Sequence, residues 1–225
     1  FPTLVIVSPE GDELARLGSV PKEPAECLAE LVAQRDAGLA RFARIHALEA
    51  ALIDDEDTTA TTKAAIEFLS SSAVGAPGNA RLATIVRTSL ALDDEARAAM
   101  RDAALRVLFS SGESLPSDRE RAFQLDPKNV AGLLELAVEA EVGAVETRQQ
   151  SFAALDSIDR LIGLPLVDPE RGRKLFANAA RWADRARDDA AIRGRAPRYA
   201  KAALELGIPN PELAKFLRGI AARRN

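Results

Sequence analysis

The chain has 225 residues, 47% of them hydrophobic and 28% charged, and a formal net charge of −4, which argues against both a disordered chain and a general nucleic-acid surface. Its single cysteine excludes an internal disulfide framework, its single histidine leaves little scope for histidine-based metal binding or catalysis, and no apolar run is long enough for a membrane-spanning helix. Aromatic residues make up only 4% of the chain and alanine is abundant, which favours closely packed helices over a β-sandwich.

The N-terminal segment carries a strand-like pattern. Residues 4–7 form a short apolar run rich in β-branched side chains, which predicts a strand covered on both faces. Residues 13–17 alternate polar and apolar side chains, as in a half-exposed edge strand, and Gly11 supplies turn chemistry between the two. A helix is predicted to begin near Pro24. Because two strands and a helix do not form a stable sheet alone, we expect further strands to complete it; the simpler alternative is a plain β-hairpin.

The order of these features resembles the C-terminal half of a thioredoxin-like domain. The resemblance rests on Phe-Pro-Thr at residues 1–3, the apolar strand, the glycine-containing hairpin, Gly18 and the helix that follows, about 35 residues in all. It implies that Pro2 is the cis-proline of that family. It also implies that Pro2 and Thr3 shape a substrate groove beside a redox-active Cys-x-x-Cys motif.

The redox motif that this resemblance implies does not occur in the chain. The only cysteine is Cys27, and the sequence begins with Phe1 rather than Met. We therefore expect a fragment of a thiol–disulfide exchange protein, inactive by itself, with the redox motif upstream and a poorly anchored N-terminal hairpin. No catalytic residue, cofactor or metal ligand is predicted within the chain.

Beyond the hairpin, apolar residues recur at helical spacing, which predicts helices and no further sheet. The predicted class is mainly α: residues 1–36 form a truncated thioredoxin-like part, a β-hairpin plus helix, and residues 37–225 form an all-α domain of stacked helical hairpins. Leu28, Leu31 and Val32 are expected to cover the sheet. The predicted helical segments, with a break near residues 36–38 left open, are residues 24–53, 61–72, 80–92, 93–109, 130–142, 147–162, 174–187, 197–206 and 211–222.

Two Asp-Pro pairs indicate helix starts. Asp126-Pro127 and Asp168-Pro169 lie 42 residues apart, a spacing within the period of helix-pair repeats. Aspartate suits the N-cap position and proline the first helical turn. The pairs resemble the inter-repeat loops of tetratricopeptide-like arrays, but the remaining consensus positions match poorly. We therefore expect an irregular stack that is tetratricopeptide-like at most.

Three single residues have both a functional and a structural interpretation. Cys27 lies on a predicted helix without a second cysteine, which favours a packing thiol over a nucleophile. His46 has no cysteine or second histidine near it in sequence, which favours an ordinary surface or core side chain over a metal ligand. Trp182 lies among alanines, where it either lines a groove or anchors the core.

The acidic residues 54–57 favour a helix start over a cation site, because they lack the ligand spacing of a calcium loop.

An arginine-rich stretch near the C-terminus is the strongest candidate for an anion site. Arginine binds phosphate and carboxylate groups through a planar fork of N–H donors. Interleaved aspartates at positions 184, 188 and 189 favour the alternative of a solvated, salt-bridged face. The candidate anion-binding residues are Arg181, Arg185, Arg195 and Arg198.

Three functions fit these observations. The first is a fragment of a thioredoxin-like thiol–disulfide exchange protein with a helical appendix. The second is a noncatalytic protein–protein interaction module, in which a concave helical stack binds a protein or peptide partner. The third is a helical domain that binds a small anion through the arginine-rich stretch. No nucleic-acid partner is expected from the acidic balance of the chain.

Overall fold

The computed structural model describes residues 4–19, 21, 23–54, 58–91 and 98–223. This part of the chain is mainly helical and carries one two-stranded antiparallel sheet near its N-terminus, which confirms the predicted mainly helical class. Within these residues no strand follows the hairpin, as the helical spacing predicted. The strands are β1 (Leu4–Val7) and β2 (Glu13–Leu17), and the α-helices are α1 (Pro24–Asp54), α2 (Thr59–Ser70), α3 (Asn79–Arg87), α4 (Ala98–Ser110), α5 (Pro116–Leu125), α6 (Leu133–Gly143), α7 (Arg148–Asp159), α8 (Pro169–Asp184), α9 (Ala190–Glu205) and α10 (Pro211–Ala221).

The chain forms two compact units, unit 1 (Phe1–Ser114) and unit 2 (Leu115–Asn225). The domain boundary expected from the sequence, between residues 36 and 37, falls inside α1, which continues without a break to Asp54. Gly38 lies inside this helix and does not end it. Its lack of a side chain makes room for the close packing of strand β2 on α1.

The hairpin in unit 1 pairs Leu4 with Leu17 and Ile6 with Ala15. Its turn is closed by the Ser8 hydroxyl, which accepts hydrogen bonds from the backbone N–H groups of Glu10 and Asp12, each at 3.2 Å. Side chain and backbone together therefore fix this turn.

The burial of the two strands is the reverse of the sequence prediction. Leu4, Val5 and Val7 of β1 are 43%, 39% and 57% exposed, whereas Leu14 and Ala15 of β2 are buried. The prediction that β1 is covered on both faces is therefore wrong within unit 1. The reason is that β1 is one edge of a two-stranded sheet, and helix α1 packs on β2.

The hairpin has specific contacts within unit 1, while the expectation that it is poorly anchored stays a prediction for hydrogen exchange. The Asp12 carboxylate in its turn accepts a hydrogen bond from Arg81 Nη1 at 3.1 Å, and Arg81 also binds both carboxylate oxygens of Glu49. Strand β2 packs on α1 near Gly38, one helical turn before Phe42. The N-terminal part of α1 is consequently left uncovered, and Leu28 and Val32, which were expected to cover the sheet, are 63% and 38% exposed.

Each unit has its own hydrophobic core. In unit 1 the last turns of α1 pack on α2, α3 and α4. In unit 2 the largest core cluster comes from α6 to α10, in which each helix contacts the next. The central buried side chains are Ile45, Leu69, Leu82, Ile85 and Leu108 in unit 1 and Leu134, Leu155, Ile158, Phe176, Tyr199 and Leu217 in unit 2.

The two Asp-Pro pairs are not equivalent. Asp168 is the N-cap of α8, with Pro169 in the first turn, as predicted. The same prediction is wrong for Asp126-Pro127, because α6 begins only at Leu133. The Asp126 carboxylate instead accepts hydrogen bonds from the backbone N–H groups of Val130, Ala131 and Leu133, which stabilises a loop ahead of the helix.

One other predicted helix start is wrong. Pro197 lies inside α9 rather than at its beginning, because the Asp189 side chain caps this helix eight residues before Pro197 and the following turns are held by the core of unit 2. Helix α3 begins at Asn79, and Gly78 holds its cap position at φ +81°. The Asn79 side chain is buried and donates to the Ala73 carbonyl at 2.9 Å.

Candidate functional site

Unit 2 has a surface cleft of about 370 Å³ lined by residues from α7, α8 and the segment before α7. Two aromatic rings, Phe152 and Trp182, lie in it, each half-buried and each packed on the edge of the hydrophobic core. Two arginines, Arg148 and Arg185, complete it. An apolar floor with a few polar groups at the rim is typical of a ligand-binding pocket.

The α7 side of the cleft is fixed by the start of that helix. Thr147 caps α7 by accepting a hydrogen bond from Gln150 N, and the Gln150 side chain accepts from Thr147 N at 2.9 Å. Arg148 and Phe152 follow one turn apart on the same helix face, and the guanidinium carbon of Arg148 lies 5.2 Å from the Phe152 ring centre. The cap therefore sets the orientation of both side chains.

The α8 side comes from the end of that helix. Trp182 lies in the last turn, and Arg185, the C-cap residue, follows three positions later. Residues three apart on a helix share a face, which places the indole and the guanidinium beside the same cleft. Ala179 and Ala183 of the same helix are buried in the unit 2 core, which holds α8 in this orientation.

The cleft has unneutralised positive charge. Arg148 approaches Asp188 at 3.6 Å, but both side chains are more than half exposed, so this ion pair is weak. Arg185 forms no ion pair with any residue in the described part of the chain. Glu146 contributes one carboxylate to the lining and Asp188 lies outside it, so Arg185 is the guanidinium of the cleft that has no ion pair among the described residues. The N-terminal end of the α7 dipole has the same sign.

The Ser151 hydroxyl lies in the wall of the cleft and donates to the Arg148 carbonyl at 2.7 Å. Among the residues that the structure describes, no group of three His, Cys, Asp or Glu side chains is placed to hold a metal ion.

The four arginines expected to form an anion site are divided by the structure. Arg185 lies in the cleft, whereas Arg181 is exposed one turn earlier on α8 and does not line the cleft. Arg195 lines a second, open cavity of about 610 Å³ together with Arg193 and Arg223.

The α9 arginines form ion pairs, as in the alternative interpretation of a salt-bridged face. Arg195 binds Asp156 at 2.8 Å and Asp159 at 2.6 Å, and Arg198 approaches Asp159 at 3.6 Å. Their charge is therefore already neutralised within the unit. Of the four candidates, Arg181 and Arg185 have no ion pair in the described part of the chain, and of these two Arg185 lines the cleft.

The other predicted positions do not form a site. Pro2 and Thr3, the substrate-groove residues implied by the thioredoxin-like resemblance, lie outside the described residues, as does most of the acidic segment 54–57. Cys27 is half-buried. His46 packs edge-on against Phe42, and its Nε2 atom lies 3.8 Å from the Asp12 carboxylate.

Sequence reasoning missed half of the cleft. Neither Phe152 nor Arg148 was singled out from the sequence. The spacing of an arginine and an aromatic residue four positions apart, directly after a Thr-x-x-Gln capping sequence, is the signal that indicates an exposed aromatic face at a helix start.

Comparison with known proteins identifies no relative of this chain. No protein-family model, no curated protein and no solved structure matches the sequence or the fold.

No described helix combines the length and apolar character needed to cross a membrane.

Proposed function

We propose that this chain is a noncatalytic protein-interaction module that binds a peptide segment in the α7–α8 cleft. The observation that carries the proposal is the combination of half-buried Trp182 and Phe152 with the unpaired guanidinium of Arg185. Tryptophan and arginine dominate the binding energy of protein interfaces, because they combine a large apolar area with directional hydrogen bonding. The matching ligand is an acidic segment with an aromatic or aliphatic side chain beside a carboxylate.

The single tryptophan of the chain makes this proposal directly testable. Trp182 is the only tryptophan, so tryptophan fluorescence, excited selectively over tyrosine, reports on the cleft alone. The full chain is titrated with the acidic peptide acetyl-Asp-Glu-Phe-Asp-Leu-amide and with a matched peptide in which lysine replaces each acidic residue. We expect the acidic peptide to change the Trp182 emission and the lysine peptide to leave it unchanged.

Two arginine variants on one helix provide the test and its control. Arg185→Gln removes the cleft cation and is expected to weaken binding about tenfold. Arg181→Gln removes an exposed arginine one turn away, outside the cleft, and is expected to leave binding unchanged. Equal losses in both variants, or no emission change with the acidic peptide, would contradict the proposal.

A second candidate function is favoured by the exposed strand β1. Apolar side chains on both faces of a strand are typical of a sheet that continues beyond it, and three of the four β1 side chains are more than a third exposed. This supports the proposal that residues 1–36 belong to a thioredoxin-like thiol–disulfide exchange protein. A Cys-x-x-Cys motif encoded upstream of Phe1 in the gene would support it, and a gene without one would overturn it.

A further inference from the structure

Two arginines of helix α1 lie over one aromatic ring in unit 1. The guanidinium carbon of Arg41 is 4.9 Å from the ring centre of Phe68, and that of Arg44 is 4.1 Å from it. Phe68 is buried, so the two cations lie on an apolar surface of α2. Both guanidinium groups lie over the same ring, and the two arginines are three positions apart on α1, a spacing that places them on one face of the helix.

Arg41 is held by neutral acceptors. Its Nε donates to the Pro77 carbonyl at 2.6 Å, and its Nη2 donates to Ser72 Oγ at 3.0 Å and to Asn79 Oδ1 at 2.7 Å. None of these groups carries a negative charge, and burial lowers the pKa of the Arg41 guanidinium. The hydrogen bonds orient the cation but do not neutralise it.

Neither arginine has a carboxylate partner in the described part of unit 1. Arg81, a partly buried arginine of the same unit, shows the contrast, since it binds the carboxylates of Asp12 and Glu49. The Arg41 Nη1 atom has no hydrogen-bond partner among these residues and is not enclosed, so solvent reaches it. Arg44 is exposed.

Electrostatics favours an anion at this position. Two like charges on a partly apolar surface repel each other more strongly than they would in bulk water, because the effective dielectric constant is lower there. A doubly charged oxyanion neutralises both, whereas one carboxylate neutralises only one. Arg41 is already oriented by Ser72 and Asn79, so its immobilisation costs little on binding.

We propose that Arg41 and Arg44 form a binding site for a phosphoryl oxyanion in unit 1. Arg41 Nη1 and the exposed guanidinium of Arg44 donate charge-assisted hydrogen bonds to its oxygens. The site is separate from the α7–α8 cleft, which belongs to unit 2. Free phosphate and a phosphate monoester present the same oxyanion, and the experiment distinguishes them.

The test measures binding of inorganic phosphate and of phosphoserine to the full chain by calorimetry and by the shift in melting temperature, against sodium chloride at equal ionic strength. A ligand that binds only the folded state raises the melting temperature. We expect phosphate to do so and chloride to do so less. Binding of phosphate alone identifies the free ion as the ligand, and binding of both identifies the phosphate monoester group.

Variants at Arg44 and Arg41 test whether the oxyanion binds at the proposed site. Arg44→Gln is expected to weaken phosphate binding about tenfold without loss of helix content. Arg16→Gln, which removes an exposed arginine already paired with Glu13, is the matched control and is expected to bind as the parent chain does. Arg41→Lys keeps the charge but loses the fork of donors, and is expected to bind more weakly while remaining folded.

Two outcomes would overturn the proposal. Phosphate and chloride acting alike would show screening rather than a site. Equal affinity in the parent chain and in Arg44→Gln would show that the oxyanion binds elsewhere. If Arg41→Lys unfolds, Arg41 is a structural clamp, and the Arg44→Gln titration alone then decides.

Discussion

Gly38 of helix α1 lies directly against Leu14 of strand β2: a Cβ atom built on Gly38 would stand 2.6 Å from the Leu14 Cβ and 2.7 Å from the Leu14 carbonyl oxygen. Glycine in a helix interior costs about 1 kcal/mol relative to alanine. Here that cost is offset by the close approach of strand and helix, which buries Leu14. The contact couples the hairpin to the middle of α1.

We predict that Gly38→Ala destabilises the chain although alanine is the better helix former. The added methyl group would meet backbone atoms of Leu14, which cannot rotate away, and overpacking of this kind costs about 1–3 kcal/mol. The loss exceeds the propensity gain, so the free energy of unfolding measured in urea should fall. The control is Gly219→Ala in α10, where nothing lies within 4 Å of the new methyl group; it should be neutral or stabilising. A stabilising Gly38→Ala would show that β2 does not pack on α1 in this way.

The Asp12–Arg81 contact predicts how the hairpin turn is held. Asp12→Asn removes the charge that Arg81 contacts at 3.1 Å, while Glu49 continues to hold Arg81. Amide hydrogen exchange over Glu13–Leu17 should become faster, and exchange around Leu82 in α3 should not change. Glu13→Gln, which breaks only the exposed pair with Arg16, should alter neither region. Unchanged exchange in the Asp12→Asn variant would mean that the turn is anchored by packing alone.

Local patterns predicted the fold where the interacting groups are close in sequence. Asp168 caps α8 through the N–H groups of Glu170 and Arg171, two and three residues later, and the sequence predicted that start. Asp126 has the same neighbour, proline, but its hydrogen bonds reach as far as Leu133, so the local rule failed there. Pro197 likewise signals a helix start locally, and the packing of α9 on α8 overrides it.

The candidate sites depend on contacts that a single sequence does not show. Trp182 and Arg185 were visible as a possible groove and a possible anion ligand, but Phe152 approaches them from a helix that begins more than twenty residues earlier. Arg41 acquires its neutral partners from residues 72 to 79, a separation that no helical periodicity encodes. The sequence therefore predicted the helical class but missed helix α5 and the mutual placement of the helices.

Glu135 is a fully buried carboxylate in unit 2, and we predict that its loss is strongly destabilising. It accepts hydrogen bonds from Val167 N at 2.5 Å, Asp168 N at 3.0 Å and Asn129 Nδ2 at 2.5 Å. Glu135→Ala leaves the backbone N–H groups of Val167 and Asp168 without this acceptor and leaves Asn129 Nδ2 with the Pro165 carbonyl alone, which should cost about 3 kcal/mol in the free energy of unfolding. The carboxylate thus joins the loop before α6 to the loop before α8.

Glu139, one turn later on α6, is the matched control for Glu135. It also contacts Arg171, with its Oε2 atom 2.6 Å from Arg171 Nε, but its side chain is half exposed. Glu139→Gln should therefore change the free energy of unfolding by less than about 1 kcal/mol. Equal losses in the free energy of unfolding for Glu135→Ala and Glu139→Gln, measured in urea, would show that Glu135 acts through Arg171 and not through the loop amides.

The N-cap of α8 predicts a specific pH dependence. Hydrogen bonding from Arg171 N is the main cause that lowers the pKa of Asp168 below its ordinary value of 3.8, and the charges of Arg171 and Lys174 and the Glu170 N–H act in the same direction. A lowered pKa in the folded state means that the carboxylate stabilises the fold above the pKa of the unfolded chain. That contribution is lost as the pH falls through the folded-state pKa.

Asp168→Asn isolates this charge, because asparagine retains the acceptor oxygen and Asn210 already caps α10 in the same chain. The parent chain should be the more stable of the two at about pH 6, and the difference should shrink as the pH falls below about 4, toward the folded-state pKa. Urea unfolding of both proteins across this range measures the difference, and the titration of all other carboxylates cancels in the comparison. A difference that stays constant with pH would show that the charge of Asp168 contributes nothing to the cap, and that its oxygen acts only as a neutral acceptor.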